Sequence, residues 1–449
     1  MPAAAPLDFL PPRLDQRVLN LARLLLPSWL RYGAGISAVH VRHGERLVAA
    51  MQAFQTGEQR LLLAFRHPST TDPLCLAALL WRELPRLSRS LGVRLRQAPH
   101  SFFLYDRGIP LWAGPQVGWL LQRLGGSSIQ RGRLDTAGLR SARELLLHGR
   151  YPFAAAPEGG TNGHNEVISP LEPGIAQLAF WTAEDLRKAG RPEGVTVLPI
   201  GIQYSWREPI WTALERLLSQ LEEDAGLTPP AQRSLQTEPL YGRLLALAEQ
   251  TLTLLERFYE QAYQRRLSEP LAMGERLQRL LTTALDVVET SLGVKASGDL
   301  TDRCRRLEQA AWERLYPHIS QDSSPCRLQR GLADRLAEET ERQLWHMRLV
   351  ENFVAVSGHY VRELPSQERF ADTLLLLWET HTKLLGRNPA RRPRLGRRRV
   401  LISIGAPIAM DEHLALYQQD RRKAVGQLTA DLQGRLQELI VPSTDLKVA

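Results

Sequence analysis

The chain has 449 residues, 43% of them hydrophobic and 23% charged, with 57 Lys and Arg against 48 Asp and Glu. At ~150 residues per domain this length allows two or three domains with proper cores, and the composition excludes both an intrinsically disordered chain and a polytopic membrane protein. Mean hydropathy is -0.26, and the best candidate for a bilayer span, Ile109 to Gln122, falls short of the ~18–20 residues required and contains two prolines.

The first residues, MPAAAPLDFLPPRLDQ, have no basic segment leading into an apolar one, so the expected location is the cytoplasm. Residues 1–35 form an N-terminal helical segment in which Val18, Leu19, Leu21, Leu24, Leu25, Leu26 and Trp29 make an apolar face rimmed by Arg13, Arg17, Arg23 and Arg31. Two readings stand side by side. Such a face lies in a membrane interface, or it docks on the protein's own core.

From Ile36 to Tyr204 short β-type runs alternate with amphipathic helical ones. The strand candidates are Ile36–Val41, Leu61–Phe65, Ser127–Gln130, Pro152–Ala156 and Val195–Tyr204, the last broken by Pro199. Helical runs with apolar residues at i, i+3, i+4 fall at Leu47–Phe54, Pro73–Leu84, Gln116–Leu124, Thr136–Leu147 and Ile175–Lys188. The pattern predicts an α/β layered domain, a central mixed sheet flanked by helices, spanning 36–205. Long Leu/Glu/Arg/Gln patterns then predict a large all-helical insertion over 206–397. One strand returns at Arg399–Ile404, giving the α/β domain a second piece at 398–412. A final helix, His413 to Ile440, is expected in the segment 413–449.

Cys75, Cys304 and Cys326 are far apart and none lies in a C-x-x-C pair, which argues against a zinc site or a disulfide framework and fits a reducing compartment. The positive balance is carried almost wholly by arginine, which reflects codon usage or a need for planar, bidentate phosphate contacts. The densest run, Arg387 to Arg399, reads as a patch for an anionic surface or as a solvated linker.

The sharpest chemical feature is RHPSTTDP, directly after the apolar run LLLAF. A histidine at a strand's end is well placed as a general base, and Asp72 is near enough to His67 to bond its second ring nitrogen and fix the tautomer. Asp72 before Pro73 also reads as a helix N-cap. Ser69, Thr70 and Thr71 read as loop and cap residues. Further on, GGSSIQR puts Arg131 just past a short strand, where a guanidinium can grip a phosphate. In APEGGTNG the glycines let backbone amides approach an anion while Glu158 supplies a fixed acceptor. No G-x-S-x-G elbow, P-loop or H-E-x-x-H helix is present.

In this order, His67-x4-Asp72, the Gly-rich segment ending in Arg131, the Pro157-Glu158-Gly159 loop with Thr161, and Val197-Leu198-Pro199-Ile200 resemble the phospholipid/glycerol acyltransferase family, of the bacterial lysophosphatidic acid acyltransferase type. RVLISIGAPI is similar to that family's closing strand. Gln130 stands where the family usually has aspartate, Gly160 intrudes before Thr161, and Asn162 replaces a common arginine.

The resemblance implies that His67 is the base and Asp72 its orienting partner. It implies that Arg131 holds the acceptor's phosphate and that Glu158, Gly159 and Thr161 belong to the acceptor-binding loop. The implied reaction moves a fatty acyl group from an acyl thioester, acyl-CoA or acyl carrier protein as co-substrate, to a hydroxyl of a phosphate-bearing glycerolipid acceptor. No metal or other cofactor is expected, and the partners expected are that donor, that acceptor and a membrane surface, without nucleic acid. Of two acceptors, glycerol 3-phosphate and 1-acylglycerol 3-phosphate, an interfacial N-terminal helix favours the second. A non-catalytic lipid- or nucleic-acid-binding protein on the same scaffold is disfavoured because His67 and Asp72 are both present.

Overall fold

The computed structural model describes residues 8–130, 135–229, 237–267, 271–315, 326–353, 360–388 and 392–448. Its strands are β1 (Ile36–Arg42), β2 (Gln59–Phe65), β3 (Phe102–Asp106), β4 (Gly126–Ile129), β5 (Phe153–Ala155), β6 (Gly194–Trp206), β7 (Arg398–Ile404) and β8 (Ile408–Ala409). They join one sheet in the order β1-β7-β6-β2-β5-β3-β4, with β8 also paired to β6. Strands β6, β2, β5, β3 and β4 run parallel, while β7 is antiparallel to β6 and parallel to β1. This is the mixed, helix-flanked sheet expected from the sequence.

Alternation along β2 shows why the central strands read as unbroken apolar runs. Leu61, Leu63 and Phe65 enter one core, with Leu47, Val48, Leu79 and Ile202, whereas Leu62 and Ala64 enter the other, with Leu146, Phe180 and Leu428. Both faces are covered by helices, so both sets of side chains must be apolar. The helices Gly44–Thr56 and Asp72–Ala78 serve the first core, and Thr136–His148, Gly174–Lys188 and Arg421–Glu438 serve the second.

Three local expectations are corrected. Strand β3, absent from the predicted set, lies between β5 and β4 (Phe102↔Phe153, Leu104↔Ser127). Pro199 does not break β6, which is continuous over 13 residues. On one side β6 pairs first with β8 at Thr196 and Val197 and then with β7 from Ile200 onward, so the proline's missing N–H falls at the change of partner. There Gly405 donates to the Pro199 carbonyl at 2.8 Å, and an added Cβ would sit only 3.0 Å from Pro199 Cβ. The final helix is two helices, Asp411–Gln419 and Arg421–Glu438, because Asp420 adopts an extended conformation and its carboxylate caps the second through Lys423 N at 3.0 Å. The apolar run Ile109 to Gln122 is two short helices separated by Gly114 at φ 97°.

The N-terminal helix Gln16–Ser28, capped by Asp15, continues through a π-helical turn, Trp29–Gly33. One side of it docks on the protein's own core and the other does not. Leu19, Leu26 and Leu30 are buried in the α/β unit, but Leu21, Leu24, Leu25, Trp29 and Tyr32 face outward, Leu24 at 75% exposure. No helix among the described residues is long and apolar enough to cross a membrane.

The chain divides into two compact units. One comprises Phe9–Gln130, Asp135–Glu208 and Gly396–Ala449, and the other is built on Pro209–Leu395. The second is helical: Trp211–Asp224, Thr237–Tyr263, Met273–Leu292, Leu300–Leu315, Arg327–Phe353, Tyr360–Glu363 and Gln367–Leu384. Arginine–carboxylate pairs tie these helices together: Arg243 with Glu222, Arg276 with Glu256, and Arg303 with Glu289, each closest at 2.6 Å. Much of the arginine therefore serves internal forks on carboxylates, a use that neither codon preference nor phosphate binding anticipates.

Candidate active site

The loops that carry the sequence-derived candidates leave the C-terminal ends of adjacent parallel strands, the edge at which open α/β sheets bind ligands. His67 follows β2 by two residues and Glu158 follows β5 by three, and the strands are in register through Ala64↔Ala155. The turn Pro68 to Thr71 then starts the helix Asp72–Ala78, with Asp72 N donating to Ser69 O at 3.0 Å.

Asp72 is fully buried and does not act as an N-cap; Thr71 precedes the helix, and the Asp72 carboxylate turns back toward β2. Oδ2 lies 3.0 Å from His67 Nδ1 and accepts the Ser69 N–H at 2.7 Å, while Oδ1 accepts from the Tyr204 hydroxyl. A carboxylate at Nδ1 places the proton there and leaves the Nε2 lone pair for a substrate. The His67 side chain retains 20% exposure and its ring meets Phe65 edge to face at 6.0 Å. The imidazole is thus held by a buried carboxylate and stays partly open to the outside, an arrangement that can serve as a general base.

Glu158, expected against the acceptor, is buried and occupied by the protein itself. Oε1 accepts the His67 backbone N–H at 2.8 Å; Oε2 accepts Asn162 Nδ2 and Ser169 N, both at 3.1 Å. Arg66, with no exposed surface, stands 3.8 Å from Glu158 Oε1 and donates to the carbonyls of His164, Asn165 and Val167. The Glu158 loop and the His67 loop are thus one hydrogen-bonded body. Gly159 has φ 71°, in the left-handed region that favours glycine, and a Cβ there would come within 2.4 Å of Glu172 Oε1, so a larger residue would have to displace that side chain. Thr161 is exposed at the loop's outer edge.

Arg131 lies outside the described residues. Its flanks are described: Gln130 N donates at 2.9 Å to Asp135 Oδ2, and Asp135 caps the helix Thr136–His148 and pairs with buried Arg107.

Three residues were not recognised as part of the site. Tyr204, on β6, reaches Asp72. Thr71 Oγ1 donates to Tyr204 Oη at 3.0 Å, and Arg398 stacks over the Tyr204 ring at 4.5 Å. Thr71 lies inside the His67 motif and reads there as a loop or cap residue, while nothing in the sequence ties Tyr204 and Arg398 to His67 beyond the apolar periodicity that puts Tyr204 on the same face as Ile200 and Ile202. The run Arg387 to Arg399 is correspondingly split: Arg398 turns inward, Arg387 forks onto Asp224 at 2.7 and 3.0 Å within the helical unit, and Arg391 lies outside the described residues.

Cys75 is one helical turn past Asp72, fully buried, and burial followed by the nearby Asp72 charge pushes its thiol up to about 12. It stays protonated, unlike a nucleophilic cysteine. His346 and His381, the described histidines of the helical insertion, bond within it, to Tyr259 and Tyr263 and to Thr251 respectively; His318 and His359 lie outside the described residues.

Residues 39–203 match the family model described as Acyltransferase. The match begins inside β1, ends inside β6, and takes in His67, Asp72, Glu158, Gly159 and Thr161, so an acyltransferase-type segment carries the site. No curated protein matches the chain.

Proposed function

We propose that the α/β unit transfers a fatty acyl group from an acyl thioester to a hydroxyl of a phosphate-bearing glycerolipid acceptor. The observation that carries this reading is the 3.0 Å contact between His67 Nδ1 and Asp72 Oδ2 at the end of β2, within the matched segment. Nε2 of His67 takes the proton of the acceptor hydroxyl as its oxygen attacks the thioester carbonyl. Asp72 stabilises the imidazolium that forms. The tetrahedral oxyanion collapses, the carbon–sulfur bond breaks, and the leaving thiolate of coenzyme A or acyl carrier protein receives the Nε2 proton. No enzyme-bound acyl group is required, in keeping with the buried, protonated Cys75.

In this proposal Glu158 acts through the backbone of His67, while Gly159, Thr161 and Arg131 meet the acceptor, Arg131 at its phosphate. The favoured acceptor is 1-acylglycerol 3-phosphate, because a lysolipid must be collected from a membrane. Leu21, Leu24, Leu25, Trp29 and Tyr32 offer an outward apolar face beside exposed Arg13, Arg17 and Arg31, a combination suited to peripheral docking on an anionic bilayer from its aqueous side. Arg23 does not contribute, since it turns onto Trp81 and the Pro99 carbonyl.

The test is an assay of the purified chain with labelled acyl-CoA and acyl carrier protein against glycerol 3-phosphate and 1-acylglycerol 3-phosphate. Transfer to the lysolipid from either donor supports the reading. Transfer to glycerol 3-phosphate alone moves the acceptor, and no transfer in any combination overturns it.

A further inference from the structure

The Asp72 carboxylate is held from behind by a chain of donors that begins on the far side of the helical insertion in sequence. Arg398 Nη2 approaches Thr71 Oγ1 at 3.3 Å, Thr71 Oγ1 donates to Tyr204 Oη at 3.0 Å, and Tyr204 Oη donates to Asp72 Oδ1. The direction of each bond follows from chemistry. Tyr204 has one proton and three polar neighbours: Asp72 Oδ1, Thr71 Oγ1 and Cys75 Sγ at 3.4 Å. Only Asp72 is an anionic acceptor, so the phenol gives its proton there and its oxygen is left to accept from Thr71. Burial, and then the Asp72 charge, hold the phenol well above its usual range, so it does not lose that proton. Thr71 Oγ1 also lies 3.0 Å from Ser69 Oγ, and with the Thr71 proton given to Tyr204 it accepts from Ser69 and from the guanidinium. The chain therefore runs one way, from the Arg398 cation to the Asp72 anion.

We infer that Tyr204 is a positioning residue for the His67–Asp72 pair, set by Thr71 and Arg398. Asp72 has no exposed surface, so its Oδ1 has no water to fall back on if Tyr204 is removed. With both oxygens engaged, the carboxylate cannot rotate, and Oδ2 stays aimed at Nδ1. Tyr204 is itself pinned by its backbone: its N–H donates to Asn165 Oδ1 at 2.6 Å and its carbonyl accepts Asn165 Nδ2 at 2.8 Å. The ring cannot drift from the carboxylate. Because Arg398 opens β7, the sequence after the insertion reaches into the site without touching the histidine.

This inference rests on the proposed transfer reaction, and the experiment separates the two. Tyr204→Phe keeps the ring under Arg398 and deletes only the hydroxyl. It is expected to lower kcat by about ten- to a hundredfold, the range seen when a partner orienting a functional side chain is removed, with KM for donor and acceptor changed less than twofold. Thr71→Val should show the same pattern more weakly, and Thr71→Ser should restore it. The decisive readout is the double variant. If Tyr204 acts through Asp72, adding Tyr204→Phe to Asp72→Asn costs nothing further, whereas a structural role multiplies the two losses. Thr71→Val in the Asp72→Asn background repeats the test should Tyr204→Phe fail to fold. Full kcat in Tyr204→Phe, or multiplicative losses, while His67→Ala is inactive, overturns this inference alone. Near-full turnover in His67→Ala overturns the reaction it rests on.

Discussion

Glu158 accepts the backbone N–H of His67 at 2.8 Å across 91 residues of sequence, and the same carboxylate closes its own loop through Asn162 and Ser169. The two loops that flank the candidate site are therefore coupled through one buried side chain. A carboxylate so placed fixes where His67 sits and has its own oxygens engaged by the protein.

His67→Ala should abolish acyl transfer with little change in the melting temperature, since a positioned base contributes roughly 10²–10⁴-fold. Asp72→Asn should lose most of the same rate. Circular dichroism beside the radiolabel assay distinguishes a dead site from an unfolded one, and near-full turnover in His67→Ala refutes the assignment.

Glu158→Gln and Arg131→Ala should fail in different ways. The first replaces an acceptor oxygen with an amide that cannot serve all its donors, so it should lower stability by about 1–3 kcal/mol and depress kcat with acceptor KM nearly constant. The second should raise KM for the phosphate-bearing acceptor far more than for the thioester. Equal changes in both Michaelis constants for Arg131→Ala, with a lowered melting temperature, would make that arginine structural.

Iodoacetamide should label exposed Cys326 and spare buried Cys75 and Cys304 in the native protein, without loss of turnover. Mass spectrometry after a quenched reaction should find no acyl group on Cys75. An acyl-thioester adduct there would replace direct transfer by a covalent route.

Flotation with anionic vesicles should recover the protein at low salt and progressively less as ionic strength rises, because clustered exposed arginines contribute about 1 kcal/mol each near such a surface. Leu24→Glu with Trp29→Glu should remove the apolar share of that binding while acyl transfer to detergent-dispersed acceptor persists. Arg398→Ala should affect turnover more than flotation, since that side chain faces Tyr204. Equal flotation of the Leu24/Trp29 double variant and the parent would return that face to an ordinary surface.

Acidification should cost stability before the carboxylates titrate. Burial, the leading cause in each case, holds His100, His164 and His346 at about 4 against an ordinary 6.5. At His100 the neutral form is built in: Trp81 Nε1 donates to Nδ1 at 3.2 Å and Nε2 faces the Leu124 carbonyl at 3.0 Å. Below pH 6.5 the unfolded chain binds protons that the folded chain refuses until about pH 4, so stability is intact above 6.5 and declines through that window. Each such proton is worth about 1.4 kcal/mol per pH unit. A melting temperature that stays level from pH 7 to 5 would contradict these burials.

Much of this site was legible because its chemistry is local. His67 and Asp72 lie within six residues, so one short motif after one apolar run placed imidazole and carboxylate together, while the Ser69 N–H that holds the carboxylate reads only as part of a loop or cap. Tyr204 and Arg398 are 132 and 326 residues from Asp72, and only the β6–β7 pairing, Tyr204↔Val400 and Trp206↔Arg398, brings them to it. Strand β3 escaped because FFLYD runs almost directly into the apolar segment after Asp106, leaving no clear boundary. The break at Asp420 escaped because amphipathic spacing continues across it and only the cap interrupts the backbone.

The pairing of Trp206 with Arg398 also governs how the protein is made. When β6 leaves the ribosome, the strand that covers its second half does not yet exist; the whole insertion must be translated first, roughly 10–40 s at bacterial or eukaryotic elongation rates. For that interval the nascent sheet presents an open row of backbone donors and acceptors along Ile200 to Trp206, the kind of edge that invites pairing with another chain. Early folding of the helical block shortens the separation that β7 must span to reach that edge. Because the block departs and returns at directly opposed residues, a two-residue hairpin turn bridges the same gap, and a chain so shortened would close its sheet within seconds of synthesis.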